Sequence, residues 1–127
     1  MINSRKIEDL VPDAQVKCRQ FLSACSEIGL NVKITQTLRD QQYQNSLYQQ
    51  GRTVPGKIVT NCDGYKNKSK HQSGKAWDAV PLDSKGQINW TDEKLYRKMA
   101  DVAVKLGITA GFYWKSFKGD IGHFEIN

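Results

Sequence analysis

The chain contains only two histidines, His71 and His123, and each has carboxylates close by in sequence. Asp78 lies seven residues after His71, inside the apolar stretch Ala76-Trp77-Asp78-Ala79-Val80. A carboxylate facing the interior there is strongly unfavourable unless a metal or a hydrogen-bonded cation offsets it. Gly74, between His71 and Asp78, permits a close backbone turn, so the two side chains can converge. Strand alternation over His123-Phe124-Glu125-Ile126 sends Phe124 and Ile126 to the core and turns His123 and Glu125 to the opposite face. Asp120 precedes His123 by three residues, and Gly122 permits a bend that brings its carboxylate toward a water on a metal held by His123.

Two imidazoles and one carboxylate leave a fourth tetrahedral position open, the arrangement of catalytic rather than structural zinc. Zinc lowers the pKa of its water to about 7 and polarises a carbonyl, while a nearby carboxylate takes the proton and passes it to the leaving amine. Asp120 is the expected base, and Glu125 is expected to orient His123 or to bind substrate. Singly, each residue has an ordinary explanation: His71 in Ser-Lys-His-Gln as a surface residue, Asp78 as half of a salt bridge. Their conjunction favours a metal centre of His71, Asp78 and His123.

The pattern Ser69-x-His71-x-x-Gly74-x-Ala76-x-Asp78, followed after a helix by Asp120-x-x-His123-Phe124-Glu125, resembles the zinc peptidases of the D-alanyl-D-alanine carboxypeptidase superfamily. VanY-like peptidases belong there, as do phage endolysins that are L-alanyl-D-glutamate endopeptidases, and the endolysins are the nearer likeness. The run Thr37-Leu38-Arg39-Asp40-Gln41-Gln42, with Tyr48 and Gly51, is similar to another region of that family, whose arginine lies near the substrate. The resemblance implies His71, Asp78 and His123 as zinc ligands and Asp120 as general base. It also implies Arg39 as a stabiliser of the scissile oxyanion or a substrate carboxylate, and Ser69 as a hydrogen-bond partner of substrate or a support for a ligand. The implied substrate is the peptidoglycan stem peptide, cut between L-alanine and D-glutamate; D-alanyl-D-alanine carboxypeptidase is the alternative. Asp120 stands where related carboxypeptidases carry Glu, which favours the endopeptidase. Gly122 replaces the proline or tryptophan of many relatives and predicts a looser bend beneath Asp120. Asp40 replaces a serine or threonine after the arginine.

The elements that must position these residues are legible in outline. From Pro12 to Ile28 the positions Ala14, Cys18, Phe21, Leu22, Cys25 and Ile28 follow one helix face, with Pro12 suited to the first turn and Gly29 to the end. Asn31 to Thr37 reads as a short strand in which Val32 and Ile34 alternate with polar neighbours. A second helix is expected over Asp40 to Gln50, then a long loop from Gly51 to Ser69 with at most an extended piece at Ile58 and Val59. Ala76 to Val80 reads as a buried strand closed by Pro81. A third helix follows, with Thr91 as N-cap, Leu95, Met99, Val102 and Leu106 on its inner face, and Gly107 after its end. His123 to Ile126 reads as an edge or rim strand. The class is α+β, helices on a small, mostly antiparallel sheet, and the resemblance implies the hedgehog/D,D-peptidase-like fold.

At 127 residues, with 39% hydrophobic and 25% charged, the composition fits one globular domain, 1–127, with no separate wall-binding domain expected. Folding should bury roughly two thirds of the unfolded surface, so disulfides are not required. Cys18 and Cys25 read as small core residues, and Cys62 has no neighbour for a Cys-x-x-Cys site. No stretch near the N-terminus is apolar enough for a signal peptide, and no run approaches the ~18 residues of a membrane span. No stable membrane association is therefore expected, and the resemblance to phage endolysins implies synthesis in the host cytoplasm and passage to the wall with the help of a holin. Nothing in the sequence suggests more than a monomer.

The formal charge of +6 predicts attraction to polyanions. Lys66, Lys68, Lys70 and Lys75 flank His71, and Lys115 and Lys118 precede His123, an arrangement suited to steering an anionic substrate or simply to a solvated loop. Two more distant readings are a zinc-stabilised domain without catalysis and a basic nucleic-acid-binding module using Trp77, Trp90, Tyr113 and Trp114. No helix carries the basic stripe a groove would need, so nucleic acid is not an expected partner, and those aromatics are expected in core or rim packing.

Overall fold

In the computed structural model, which describes residues 1–115 and 120–127, a 3-10 turn over Ile7–Asp9 leads into helix α1, Pro12–Glu27. Ala14, Cys18, Phe21 and Cys25 form its buried face. Its end is a Schellman turn: Gly29, at φ +79°, donates its N–H to Ser26 O, and Leu30 donates to Cys25 O. That geometry turns Ile28 out to solvent, 57% exposed, and buries Leu30 in its place. The expectation that Ile28 completes the apolar face is corrected accordingly: the helix stops one residue short of the repeat.

Strand β1, Val32–Gln36, is followed by helix α2, Gln41–Gln49. Asp40 is the N-cap of α2, its Oδ1 accepting from Tyr43 N at 2.9 Å, so aspartate does the capping that serine or threonine would do there. Residues 51–69 form a loop of turns, bends and irregular backbone with one isolated bridge at Val54, and Ile58 and Val59 belong to no strand. Strand β2, Ala76–Pro81, then leads to helix α3, Glu93–Lys105. The cap of α3 is Asp92 rather than Thr91, through Lys94 N; Asn89 Oδ1 accepts from both Thr91 N and Asp92 N, which sets the entry of the chain one residue later. The buried face of α3 is Tyr96, Met99, Ala100 and Ala103, with Leu95, Val102 and Leu106 at its margins. Small residues at the centre let the helix lie close to its neighbours, a detail the larger residues alone do not convey.

Two short strands complete the sheet: β3, Thr109–Ala110, and β4, His123–Glu125. The order is β1-β2-β4-β3 and every pairing is antiparallel. β4 is thus an interior strand rather than the expected edge, because the two-residue β3 covers its outer side. One sheet face, carrying Trp77 and Phe124, packs on Phe21 of α1, with Phe21 and Phe124 ring centroids 4.6 Å apart. The α+β expectation holds, and Cys18 and Cys25 lie in this core with burial pushing both thiols up to about 12. Among the described residues, no helix is long and apolar enough to cross a membrane.

Candidate metal centre

The other face of the sheet builds the site. Asp78 on β2 and His123 on β4 are direct cross-strand partners, so their side chains rise side by side. Asp78 is the one partly exposed position in an otherwise buried β2. Glu125, two residues beyond His123, shares its face as alternation predicts, and Phe124 points into the core. Gly122 locks this corner. A Cβ there would sit 2.8 Å from Ala79 O, and Ala79 N donates to Gly122 O at 2.8 Å, so the strands meet backbone to backbone. The looser bend expected at Gly122 is therefore corrected: glycine is what allows the tight approach, and His123 N closes the turn on Asp120 O.

His71 arrives from a turn on the loop before β2. Ser69 and Gln72 brace that turn: Ser69 Oγ accepts from His71 N, while Gln72 Oε1 accepts from Ser69 N. Gly74, at φ +71°, makes the turn expected of it, and its carbonyl accepts from Val11 N. The imidazole is almost fully buried, and its Nδ1 lies 2.7 Å from Thr37 O. A carbonyl only accepts, so Nδ1 carries the proton and Nε2 presents its lone pair. A break in register between Ile34 and Gln36 of β1 precedes Thr37 and re-aims the chain toward His71.

His123 is fixed the other way round. Its Nε2 lies 2.8 Å from Glu125 Oε1, and its Nδ1 faces Asp78 Oδ1 at 3.4 Å. Glu125 in turn is held by Lys70, whose Nζ is 3.4 Å from Oε2 and also donates to Ile126 O. The bond to His123 and the nearby Lys70 charge keep the Glu125 carboxyl below its ordinary range despite partial burial. Glu125 therefore stands behind the imidazole and orients it, and Lys70, expected among the steering lysines, is committed to that carboxylate.

His71 Nε2, Asp78 Oδ1 and His123 Nδ1 converge from three elements, with ligand atoms of the three residues within 4.8 Å of one another. His71 Nε2 and Asp78 Oδ1 are 3.2 Å apart. In a tetrahedron with bonds of about 2.0–2.1 Å, ligand atoms sit about 3.3 Å from each other, so both separations from Asp78 suit one small divalent ion. The donor set, two imidazole nitrogens and one carboxylate oxygen, fits zinc. Burial alone would push the Asp78 carboxyl up, but its close contacts with the His123 and His71 imidazoles hold it well below the usual range. It is ionised and ready to bind a cation.

Asp120 lies at the rim, Oδ2 3.9 Å from His123 Nδ1, with about half its side chain exposed. Partial burial and the Asp78 charge push its carboxyl up. Arg39 leans on the centre from the far side: Nη2 donates to Asp78 Oδ2 at 3.1 Å and Nη1 to Gln44 Oε1 at 3.0 Å. Arg39, His71, Asp78, Asp120, His123 and Glu125 all line a cleft of about 460 Å³. The structure thus gathers Arg39, Ser69, His71, Asp78, Asp120, His123 and Glu125, whereas Lys66, Lys75 and Lys115 do not line the cleft. Lys118 falls outside the described residues.

Gln44 escaped the sequence reading. It is fully buried in α2 and bridges Arg39 to the loop, donating to Thr60 Oγ1 and Cys62 O. Its signal was a glutamine beside Tyr43 and Leu47 on the inward side of a helix. Trp114 was missed as a wall of the site; its ring centroid is 5.1 Å from that of His123. Trp77, by contrast, is pure core.

Comparison with known proteins agrees with this geometry. The chain is 32% identical over 126 residues to the peptidoglycan L-alanyl-D-glutamate endopeptidase CwlK of Bacillus subtilis (strain 168), an alignment spanning 93% of this chain and 74% of that protein. Its fold is similar to the L-Ala D-Glu endopeptidase ChiX of Serratia marcescens, with TM-score 0.68, 20% identity, and coverage of 99% and 89% of the two chains. It is equally similar, at TM-score 0.68 and 13% identity over 91% and 71% of the chains, to the vancomycin-resistance D,D-pentapeptidase VanY of a VanB-type cassette, in complex with Zn(II). The VanY family profile, described as D-alanyl-D-alanine carboxypeptidase, matches residues 7–122 and so takes in α1, the Arg39 segment, His71, Asp78 and Asp120. With that span matched and His123 completing the same cluster, the chain belongs to the VanY family.

Proposed function

We propose that this protein is a zinc-dependent peptidoglycan peptidase that cuts the stem peptide between L-alanine and D-glutamate. The observation that carries the reading is the convergence of His71 Nε2, Asp78 Oδ1 and His123 Nδ1 beside Asp120 in one open cleft. The endopeptidase at 32% identity supports the choice of bond.

His71, Asp78 and His123 would hold zinc, which when bound would acidify a water and polarise the scissile carbonyl. Asp120, its carboxyl pushed up by partial burial and by the Asp78 charge, is the base that would take a proton from the attacking water and return it to the leaving amine. Thr37 O and Glu125 fix the two imidazoles in the tautomers that leave the inward nitrogens free. Arg39 holds Asp78 in place through Nη2. Its Nε is buried without a hydrogen-bond partner among the described residues, which supports its assignment to an oxyanion or substrate carboxylate as well. Ser69 braces the His71 turn and lines the cleft, in reach of substrate.

The biological setting we assign is lysis of the wall by a phage endolysin acting as a monomer, with a holin giving passage across the membrane. The sequence resemblance to endolysins and the +6 charge support it. Purified muropeptides test the chemistry. Release of the stem from its first L-alanine, abolished by chelation and restored by zinc, is expected. Loss of a single terminal alanine would make the enzyme a D,D-carboxypeptidase instead, the activity in the family's description.

A further inference from the structure

The cleft is chemically lopsided about the metal centre. On one side it runs into a cavity of about 630 Å³ with which it shares Arg39, Lys68, Ser69 and Lys70. Arg39 Nη2 is paired with Asp78 and Lys70 with Glu125, and Asp40 in the same wall is occupied by the backbone N–H groups of Tyr43 and Ile2. Lys68 is exposed and makes no ion pair among the described residues. On the other side, a cavity of about 270 Å³ shares Asp78 and Asp120 with the cleft and is walled by Thr35, Trp90, Tyr96 and Ile121. Among the described residues, no lysine or arginine lines it. Trp90 presents 64% of its surface and Ile121 39%.

The substrate is lopsided in the same way. Before the cut come L-alanine and, through its amide, the muramoyl sugar, neither of them charged. After the cut comes D-glutamate, which is joined through its side chain and so leaves a free α-carboxylate beside the scissile bond. A pyranose offers a C–H face that stacks on an indole, and a carboxylate seeks an unpaired ammonium.

We propose that this asymmetry reads the direction of the stem: the muramoyl sugar lies on Trp90, with Ile121 beside it, and the glutamate α-carboxylate lies toward Lys68. The inference rests on the endopeptidase reading above and adds a sugar subsite to it. Trp90 is a specificity residue, because it meets the part of the substrate that does not react.

The test compares N-acetylmuramoyl-L-Ala-γ-D-Glu-diaminopimelate with the N-acetyl peptide lacking the sugar. The parent enzyme should favour the muramoyl substrate by about tenfold in kcat/KM, through KM. Trp90→Ala should erase that preference while leaving the sugar-free rate unchanged, and Trp90→Phe should keep part of it. Lys68→Gln should slow both substrates alike, and the loss should vanish when the glutamate α-carboxylate is amidated. Equal rates on the two substrates with the parent enzyme, or equal losses in Trp90→Ala, would overturn the sugar subsite. A Lys68→Gln loss that survives amidation would overturn the assigned direction. Should Trp90→Ala not fold, the Trp90 indole N–H resonance of the parent protein decides: N-acetylmuramoyl-L-alanine must shift it, and no shift overturns the proposal. Failure of the parent to cut either substrate after L-alanine refutes the endopeptidase reading itself, a separate outcome.

Discussion

Glu125→Gln isolates the second carboxylate behind the metal centre. Glutamine keeps the size of the side chain and one oxygen acceptor for His123 Nε2, which now lies 2.8 Å from Glu125 Oε1. What it removes is the charge. A hydrogen bond to a charged group contributes about 1.5–3 kcal/mol against about 1 for a neutral one. The imidazole should therefore lose about 1–2 kcal/mol of its support, a factor of about 5–30 in metal affinity. Altered partners of metal-ligating histidines elsewhere cost about 10–100-fold, a range that overlaps this one. Lys70 is not orphaned by the change, because its Nζ still donates to Ile126 O at 2.9 Å. Competition for zinc against a chromophoric chelator measures the affinity, and turnover of muropeptides at saturating zinc measures the chemistry. Weaker zinc binding with near-normal kcat is expected. Unchanged affinity together with a collapse of kcat would refute the reasoning and place Glu125 on the substrate.

Asp120→Ala should retain zinc at the parent's stoichiometry by metal analysis and lose about 10²–10⁴ in kcat; a protein that loses its metal with the carboxylate would mean Asp120 is a ligand rather than a base. In the metal-free protein, burial alone would lower His123, but hydrogen bonds to Asp78 and Glu125 push it up to about 9. That proton stabilises the metal-free fold fully below about pH 6.5, and its contribution disappears as pH rises through about 9. Because zinc must displace it, zinc affinity should rise about tenfold per pH unit up to about pH 9, and a flat titration would contradict the coupling. Cys18 and Cys25, buried and pushed up to about 12, should resist iodoacetamide at about pH 8 while Cys62 reacts, with all three labelling after unfolding; mass spectrometry of the native protein counts the adducts.

Local signals in the sequence located the helix stops and the residues that converge in the candidate metal centre. Gly29 and Gly107 end α1 and α3 with positive φ, at +79° and +77°, because a residue without Cβ adopts that conformation at little cost. Asp78 stood out for a similar reason: residue type and immediate surroundings disagree, and only a partner can reconcile them. Those signals did not tell that Ile28 turns outward, that Asp92 rather than Thr91 caps α3, or that β4 is an interior strand. Each depends on where the chain goes next.

Residue types and spacing were therefore enough to name His71, Asp78, His123 and Asp120, since chemistry that needs lone pairs in a buried place leaves a compositional trace. The tertiary structure alone decided that Asp78 and His123 are cross-strand partners, that Thr37 O stands behind one imidazole and Glu125 behind the other, and which ring nitrogen each turns inward. It also decided that Gln44 braces Arg39 and that Trp90 walls a cavity beside the metal centre. Strand register and backbone carbonyls are common to every residue type. Their placement is fixed by contacts between segments far apart in the chain, and it carries no signature that a single sequence can display.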